Sequence, residues 1–361
     1  MWPDRRLTDL FGIEHPIIQA PMAGPSTPEL AAAVSNAGGL GSLGFAMLGL
    51  DQANAEIARL RTLTDAVFNV NFFCHLSPPQ SIEAEARWRS RLAAYYQQFG
   101  LDPAAPAPAT TRMPFDTAMC GLVVDSRPQV VSFHFGLPEP TLLEKVKSTG
   151  AVVLSSATTV AEARWLETHG ADAIIAQGFE AGGHRGMFLS SDVATQVGTM
   201  ALVPQIVDAV GVPVIAAGGI GDARGIAAAF ALGAAGVQIG TAYLHCPEAK
   251  VSPLHRAALS RVTDDTTALT NVFTGRPARG IVNRAMREIG PMSEAAPPFP
   301  LAATAMAPLR TAAETQGLGD FTPLWSGQSA KLGRTKGAGD LTRDLASETL
   351  AITQGKTFRK S

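Results

Sequence analysis

Cysteine is scarce in this chain: Cys74, Cys120 and Cys246 are the three thiols in 361 residues, widely spaced and with no Cys-x-x-Cys pair. Neither a disulfide framework nor a zinc knuckle fits that spacing. An excess of charge is missing too, with 29 Lys and Arg against 31 Asp and Glu for a formal net charge of -2. No broad basic field is left for nucleic acid or an anionic lipid surface, although a local anion site is compatible with the balance. Long apolar runs are absent as well. The stretch Ile226-Ala-Ala-Ala-Phe-Ala-Leu-Gly-Ala-Ala-Gly is too short to span a bilayer and reads as a packed helix and its exit. Asp4, Arg5 and Arg6 precede only short apolar segments, with no signal-peptide core, so cytoplasmic residence is the expectation.

What the chain does contain is 46% hydrophobic residues and 35 glycines. A chain of this length can bury about 75% of the surface its unfolded form exposes, so size alone demands no covalent staple. The repeated unit is a short β-rich run, a Gly or polar turn, then an Ala-rich amphipathic segment. Strands are expected at 16–20, 38–41, 66–72, 130–135, 151–155, 173–177, 212–216 and 237–240. Their nearly continuous apolar character favours a parallel sheet covered by helices. An α/β (β/α)8 TIM barrel over 1–244 is the economical solution, with an open doubly wound sheet as runner-up. A helical insertion is expected at about 74–128, including a helix over 82–99 and a Pro/Ala/Thr-rich excursion over 102–111. A mainly helical C-terminal extension, 245–361, is expected to pack at the barrel mouth.

Chemistry concentrates where strands end. Ala217-Gly218-Gly219-Ile220-Gly221-Asp222 follows the seventh strand and Gln238-Ile239-Gly240-Thr241 ends the eighth. Closely approaching glycine amides after adjacent strands form a cradle for phosphate oxygens. Neither turn is a GxGxxG fingerprint, and the first strand opens into Pro21-Met22-Ala23-Gly24, so a phosphate-tailed cofactor fits better than ATP or a Rossmann-bound nicotinamide. Gln19, Asn71 and Gln177 supply amides at three strand exits, which can donate to and accept from a heteroaromatic ring. Gly182-Gly183-His184-Arg185-Gly186 brings an imidazole suited to proton transfer or anion stabilisation near neutral pH. A satisfied loop histidine is the bland alternative. Arg185 is open between attracting an anion and forming a salt bridge, and Glu180 between a base and a structural acceptor. His245 and Cys246 read as structural, and no metal-ligand spacing is evident.

Together, Gln19-Ala-Pro-Met22-Ala-Gly24, Asn69-Val-Asn71-Phe, Gln177-Gly-Phe-Glu-Ala-Gly-Gly-His184-Arg-Gly, Ala217-Gly-Gly-Ile-Gly and Gln238-Ile-Gly-Thr241 resemble the nitronate monooxygenase family, formerly 2-nitropropane dioxygenases. Leu324-Trp-Ser-Gly-Gln328 resembles a further family segment. The resemblance implies FMN at the barrel mouth. It matches Met22, Ala23, Gly24, Asn71, Gln177 and Gly182 to flavin contacts, Gly219, Gln238, Ile239, Gly240 and Thr241 to the phosphate side, and His184 to the active-site histidine. It implies oxidation of alkyl nitronates, propionate 3-nitronate among the candidates, with O2 to carbonyl compounds and nitrite, and requires no metal. An FMN-dependent NAD(P)H:quinone or enoyl-thioester reductase is the alternative, because the barrel and His-bearing loop also resemble those relatives.

Overall fold

The computed structural model describes residues 1–79, 81–105 and 112–355, so the end of the Pro/Ala/Thr-rich excursion, 106–111, lies outside the described residues. The strands are β1 (Ile17–Gln19), β2 (Gly41–Gly44), β3 (Phe68–Phe73), β4 (Val130–His134), β5 (Val152–Ala157), β6 (Ala173–Gln177), β7 (Gly183–His184), β8 (Val214–Ala217), β9 (Gly236–Ile239), β10 (Thr267–Thr270) and β11 (Ala278–Ile281). Eight of them form one parallel sheet in the order β1-β9-β8-β6-β5-β4-β3-β2. Leu40, just ahead of β2, closes the circuit: its N–H donates to Ile17 O at 2.9 Å, and its carbonyl accepts from Gln19 N at 3.0 Å. The (β/α)8 barrel is therefore observed, and the open sheet is excluded.

Pleat parity sorts each strand between the barrel interior and the helical layer. Ile18, Val130, Leu154, Ala173, Ile175, Ile215 and Ala217 share the interior cluster. Their neighbours Ile17, Ile174, Ala176, Val214, Ala216, Val237 and Ile239 pack outward on helices. The interior also holds polar residues: Asn69 Nδ2 donates to Ser42 Oγ at 3.1 Å and to Ser132 Oγ at 2.9 Å. A helix at Arg6–Phe11, unanticipated from the sequence, plugs the far end with Leu7 and Phe11 and stops at Gly12, whose φ of 70° suits a glycine terminator.

The helix directly after β9 is only Thr241–Leu244. The outer position it leaves is filled from far downstream by Ala338–Thr353, which packs on the helices Pro28–Ser35 and Ala223–Ala231. Tyr243 and Thr342 hydroxyls, 2.8 Å apart, tie it to the barrel. The insertion helix Ile82–Gln98 packs on Ala302–Thr315 in a separate apolar cluster. Trp88 Nε1 donates to Ala302 O at 3.1 Å and Tyr96 OH to Ala305 O at 2.7 Å. The C-terminal region also contains β10 and β11, strands where helices and loops were expected. They pair antiparallel, and β11 then pairs with β7, adding the His184 loop to a three-stranded sheet. Among the described residues, no helix is long and apolar enough to cross a membrane.

Candidate active site

A cavity of about 420 Å³ opens at the C-terminal ends of the barrel strands. Met22, Ala23, Gly24, Asn71, Gln177, Gly182, His184, Gly219, Gln238, Gly240 and Thr241 all line it. Ile239 does not. Pleat parity turns it outward into the buried helical layer, while its neighbour Gln238 faces in. Gln19 departs from the cavity for the same reason: its Oε1 accepts from Ser42 N at 2.8 Å, and its Nε2 donates to Ala20 O and Ser26 Oγ.

At one end, the two glycine turns meet. Gly218 and Gly219 hold φ of 106° and 72°, the left-handed region in which a side chain is strained. A Cβ on Gly218 would stand 2.9 Å from Ala181 N. The Gly219 and Ile220 amides find no protein acceptor among the described residues. Thr241 Oγ1 accepts from Gly327 N at 2.9 Å, so its own hydrogen can be donated into the cavity. Gly240 is less demanding, with φ of -106° and Ala20 Cβ 3.5 Å from an added Cβ. Asp222 caps the following helix, as its position after the turn predicts, by accepting from Arg224 N at 2.9 Å.

At the other end stands His184. Gln177 Nε2 donates to His184 O at 2.9 Å and its Oε1 accepts from Gly186 N at 2.7 Å, clamping the loop. His184 Nε2 lies 3.0 Å from Thr274 Oγ1 in the loop between β10 and β11. Burial, reinforced by Arg112, His134, Arg276 and His75, holds its pKa well below the ordinary imidazole value. His134 is pushed down to about 3 and His75 to about 4, in both cases first by burial and then by Arg276. These rings belong to an aromatic cage in which Phe299 and Trp325 centroids stand 5.3 and 5.4 Å from His184. Arg276 lies over Phe135 with its guanidinium carbon 3.9 Å from the ring centroid. Phe135 itself has φ of 71°, an uncommon conformation for a side-chain-bearing residue.

Arg185 takes neither role left open for it. Fully buried, it donates to Gln177 O and Gly178 O, both at 2.7 Å, and to Gln196 Oε1 at 2.9 Å, stapling the loop from behind. Glu180 is a structural acceptor, taking Thr199 N at 2.8 Å and Thr199 Oγ1 at 2.9 Å at the start of the helix Thr199–Val207. The 324–328 segment seats on the loop where two glycines meet: a Cβ on Gly182 would lie 2.5 Å from Gly327 N. Trp325, Ser326 and Gly327 line the cavity, whereas Gln328 is exposed and gives only its amide, to Glu180 O at 3.0 Å.

A family model described as nitronate monooxygenase matches residues 4–348. The chain belongs to the nitronate monooxygenase family. It is 42% identical to a nitronate monooxygenase of Paraburkholderia phytofirmans over 95% of this chain and 94% of that one. The nitroalkane oxidase structure from Streptomyces ansochromogenes superposes with a TM-score of 0.88 at 40% identity, covering 97% of this chain and 99% of that one. FabK from Thermotoga maritima gives 0.74 at 31% identity, with 98% of both chains covered.

Within this member of the nitronate monooxygenase family, sequence reasoning overlooked Thr274, Arg276, Phe299, Arg112 and Arg310, all remote from the strand exits. His134 had a usable signal. It ends β4 with the same inward parity as Asn71 on β3 and Gln177 on β6. His255, in the helix Pro253–Arg261, was likewise missed; its Nε2 lies 3.1 Å from Trp325 O, steadying that wall.

Proposed function

We propose that this enzyme oxidises alkyl nitronates with O2 to carbonyl compounds and nitrite, using noncovalently bound FMN. The supporting observation is the pairing, across one cavity, of a left-handed glycine cradle with His184 in a ring-lined, cation-rimmed recess. Flavin dependence is the family's general property; FMN in particular is favoured by two amides and a hydroxyl gathered at one end of the cavity, a donor set suited to a terminal phosphate. Gln238 Oε1 is buried without a partner, as an acceptor waiting for a ring N–H would be.

In this reading the Gly219 and Ile220 amides and the Thr241 hydroxyl hold the phosphate, while Gln238 presents its amide to the ring and Asn71, whose Nδ2 donates to Ser132 O and Oγ at 3.1 and 2.9 Å, presents its carbonyl oxygen. Met22, Ala23 and Gly24 form the wall after β1, and Gly182 lets the His184 loop approach closely. Bound FMN supplies the redox chemistry between substrate and oxygen. Arg112 and Arg310 line the cavity and favour entry of an anionic substrate. Phe73 and Trp325 exclude water around it, and His184 orients the reacting group. With a neutral nitroalkane, His184 also takes the proton. Chromatography of the cofactor released by denaturation is the direct test: near-stoichiometric FMN is expected, whereas FAD, or no flavin after reconstitution, contradicts the cofactor assignment.

A further inference from the structure

A neutral imidazole carries hydrogen on one nitrogen, and which one decides whether the face toward substrate donates or accepts. His184 Nε2 lies 3.0 Å from Thr274 Oγ1. The Thr274 hydroxyl has a carbonyl acceptor of its own, Arg276 O, long at 3.4 Å but without a competing acceptor other than the imidazole. With its single hydrogen directed there, Oγ1 can receive the Nε2–H of His184, the one arrangement in which both contacts are hydrogen bonds at once. Nδ1 then keeps the lone pair, and no hydrogen bond engages it among the described residues.

Neither partner is free to rearrange. Thr274 is 1% exposed, and its loop is tied by Thr274 N to Asn271 O at 3.3 Å and Gly275 N to Asn271 O at 2.7 Å. Asn271 is anchored in turn, donating to Ser293 O at 2.9 Å and accepting from Ser293 N at 2.8 Å. The His184 main chain is clamped by Gln177 and by pairing with Ala278.

We propose that Thr274 is a positioning residue that holds His184 in the Nε2–H tautomer, making Nδ1 the base that takes the α-proton of a neutral nitroalkane. The proposal rests on the nitronate-oxidising reading. In this step the substrate Cα–H bond breaks, its proton passes to Nδ1, and the electron pair moves into the nitro group. The products are a nitronate anion and an imidazolium protonated on both nitrogens. The titratable and charged groups facing the ring are Arg112 of the insertion, His75 beyond β3, His134 at the end of β4 and Arg276 before β11. All oppose the imidazolium, so His184 is neutral before substrate binds, and the adjacent nitronate charge offsets its protonation. A preformed nitronate has no such proton to lose, which separates the two substrate forms.

Flavin-loaded enzyme carrying ring-15N histidine reads the tautomer directly by NMR, with the His184 signal assigned by its loss in His184→Asn. Wild type and Thr274→Ser should carry hydrogen on Nε2, and Thr274→Val should gain the Nδ1–H form. At equal flavin content and pH, Thr274→Val should lose about tenfold or more in kcat/KM on a neutral nitroalkane and less than about threefold on preformed nitronate, with Thr274→Ser recovering. Hydrogen on Nδ1 in the wild type overturns the proposal. So does an equal loss on both substrate forms, or a serine variant as impaired as the valine one. A wild type that turns over neither form counts against the nitronate-oxidising reading, while the NMR result still decides whether Thr274 sets the tautomer.

Discussion

The two ends of the cavity are assembled differently. The glycine end comes from the exits of neighbouring strands, β8 and β9, and needs little beyond local turn geometry. The histidine end gathers Phe73, Arg112, His134, His184, Thr274, Phe299 and Trp325 from separate parts of the chain. On the proposed function, short-range chemistry anchors the cofactor side, and long-range packing sets protonation and shape on the substrate side. The first fails by local strain; the second fails by loss of positioning.

The largest expected effect falls at the histidine end. His184→Asn should keep its flavin yet lose about a hundredfold or more in kcat/KM on a neutral nitroalkane, the usual range for a general base. Unchanged kinetics on both the nitroalkane and its nitronate would return His184 to a structural role. At the glycine end, Gly219→Val forces a β-branched residue into a left-handed conformation at roughly 1–3 kcal/mol. Flavin retention should weaken by about tenfold. Gly240→Val should cost less than about threefold by the same scale, because its φ is -106° and the added Cβ meets only ordinary contact. Sequence reasoning treated the two glycines alike; equal losses in dialysis of the two variants would support that view over the structural one.

A smaller effect comes from the buried imidazoles. His75 and His255 are lowered to about 4 and His134 to about 3, in each case primarily by burial. The unfolded chain binds protons below its ordinary imidazole pKa near 6.5, while the folded protein resists them, so stability falls as pH drops from about 6.5 toward 4 and then 3. Thermal midpoints should be lower at pH 5 than at pH 7, with net proton uptake on unfolding. A midpoint unchanged over that interval, with no uptake, would show that these rings are not held neutral.

Much of this was legible because β/α repetition and strand exits are local signals. Asn71, Gln177, Gln238 and the Gly219 turn follow from strand positions alone. Applying pleat parity strictly would also have turned Gln19 and Ile239 away and drawn His134 in. Thr274 and Arg276 carried no such signal, since their place depends on β11 pairing with β7, almost a hundred residues upstream. The same holds for Ala338–Thr353, whose apolar face reads as a helix but whose seat beside the barrel helices is set by the very short Thr241–Leu244 helix. Arg185 was legible as a charge in the right loop, but only burial reveals it as a staple for carbonyls.

On the proposed function, this cavity joins a flavin to a nitronate rather than to a reduced nicotinamide. Anaerobic addition of propionate 3-nitronate to one sample of the flavin-loaded enzyme, and of NADH to a second, separates the two. Nitronate should remove the oxidised-flavin absorbance, with recovery and nitrite release when O2 is admitted, and NADH should give no rapid reduction in the parallel sample. Rapid reduction by NADH with no response to nitronate would contradict this reading and assign the barrel to nicotinamide-dependent reduction.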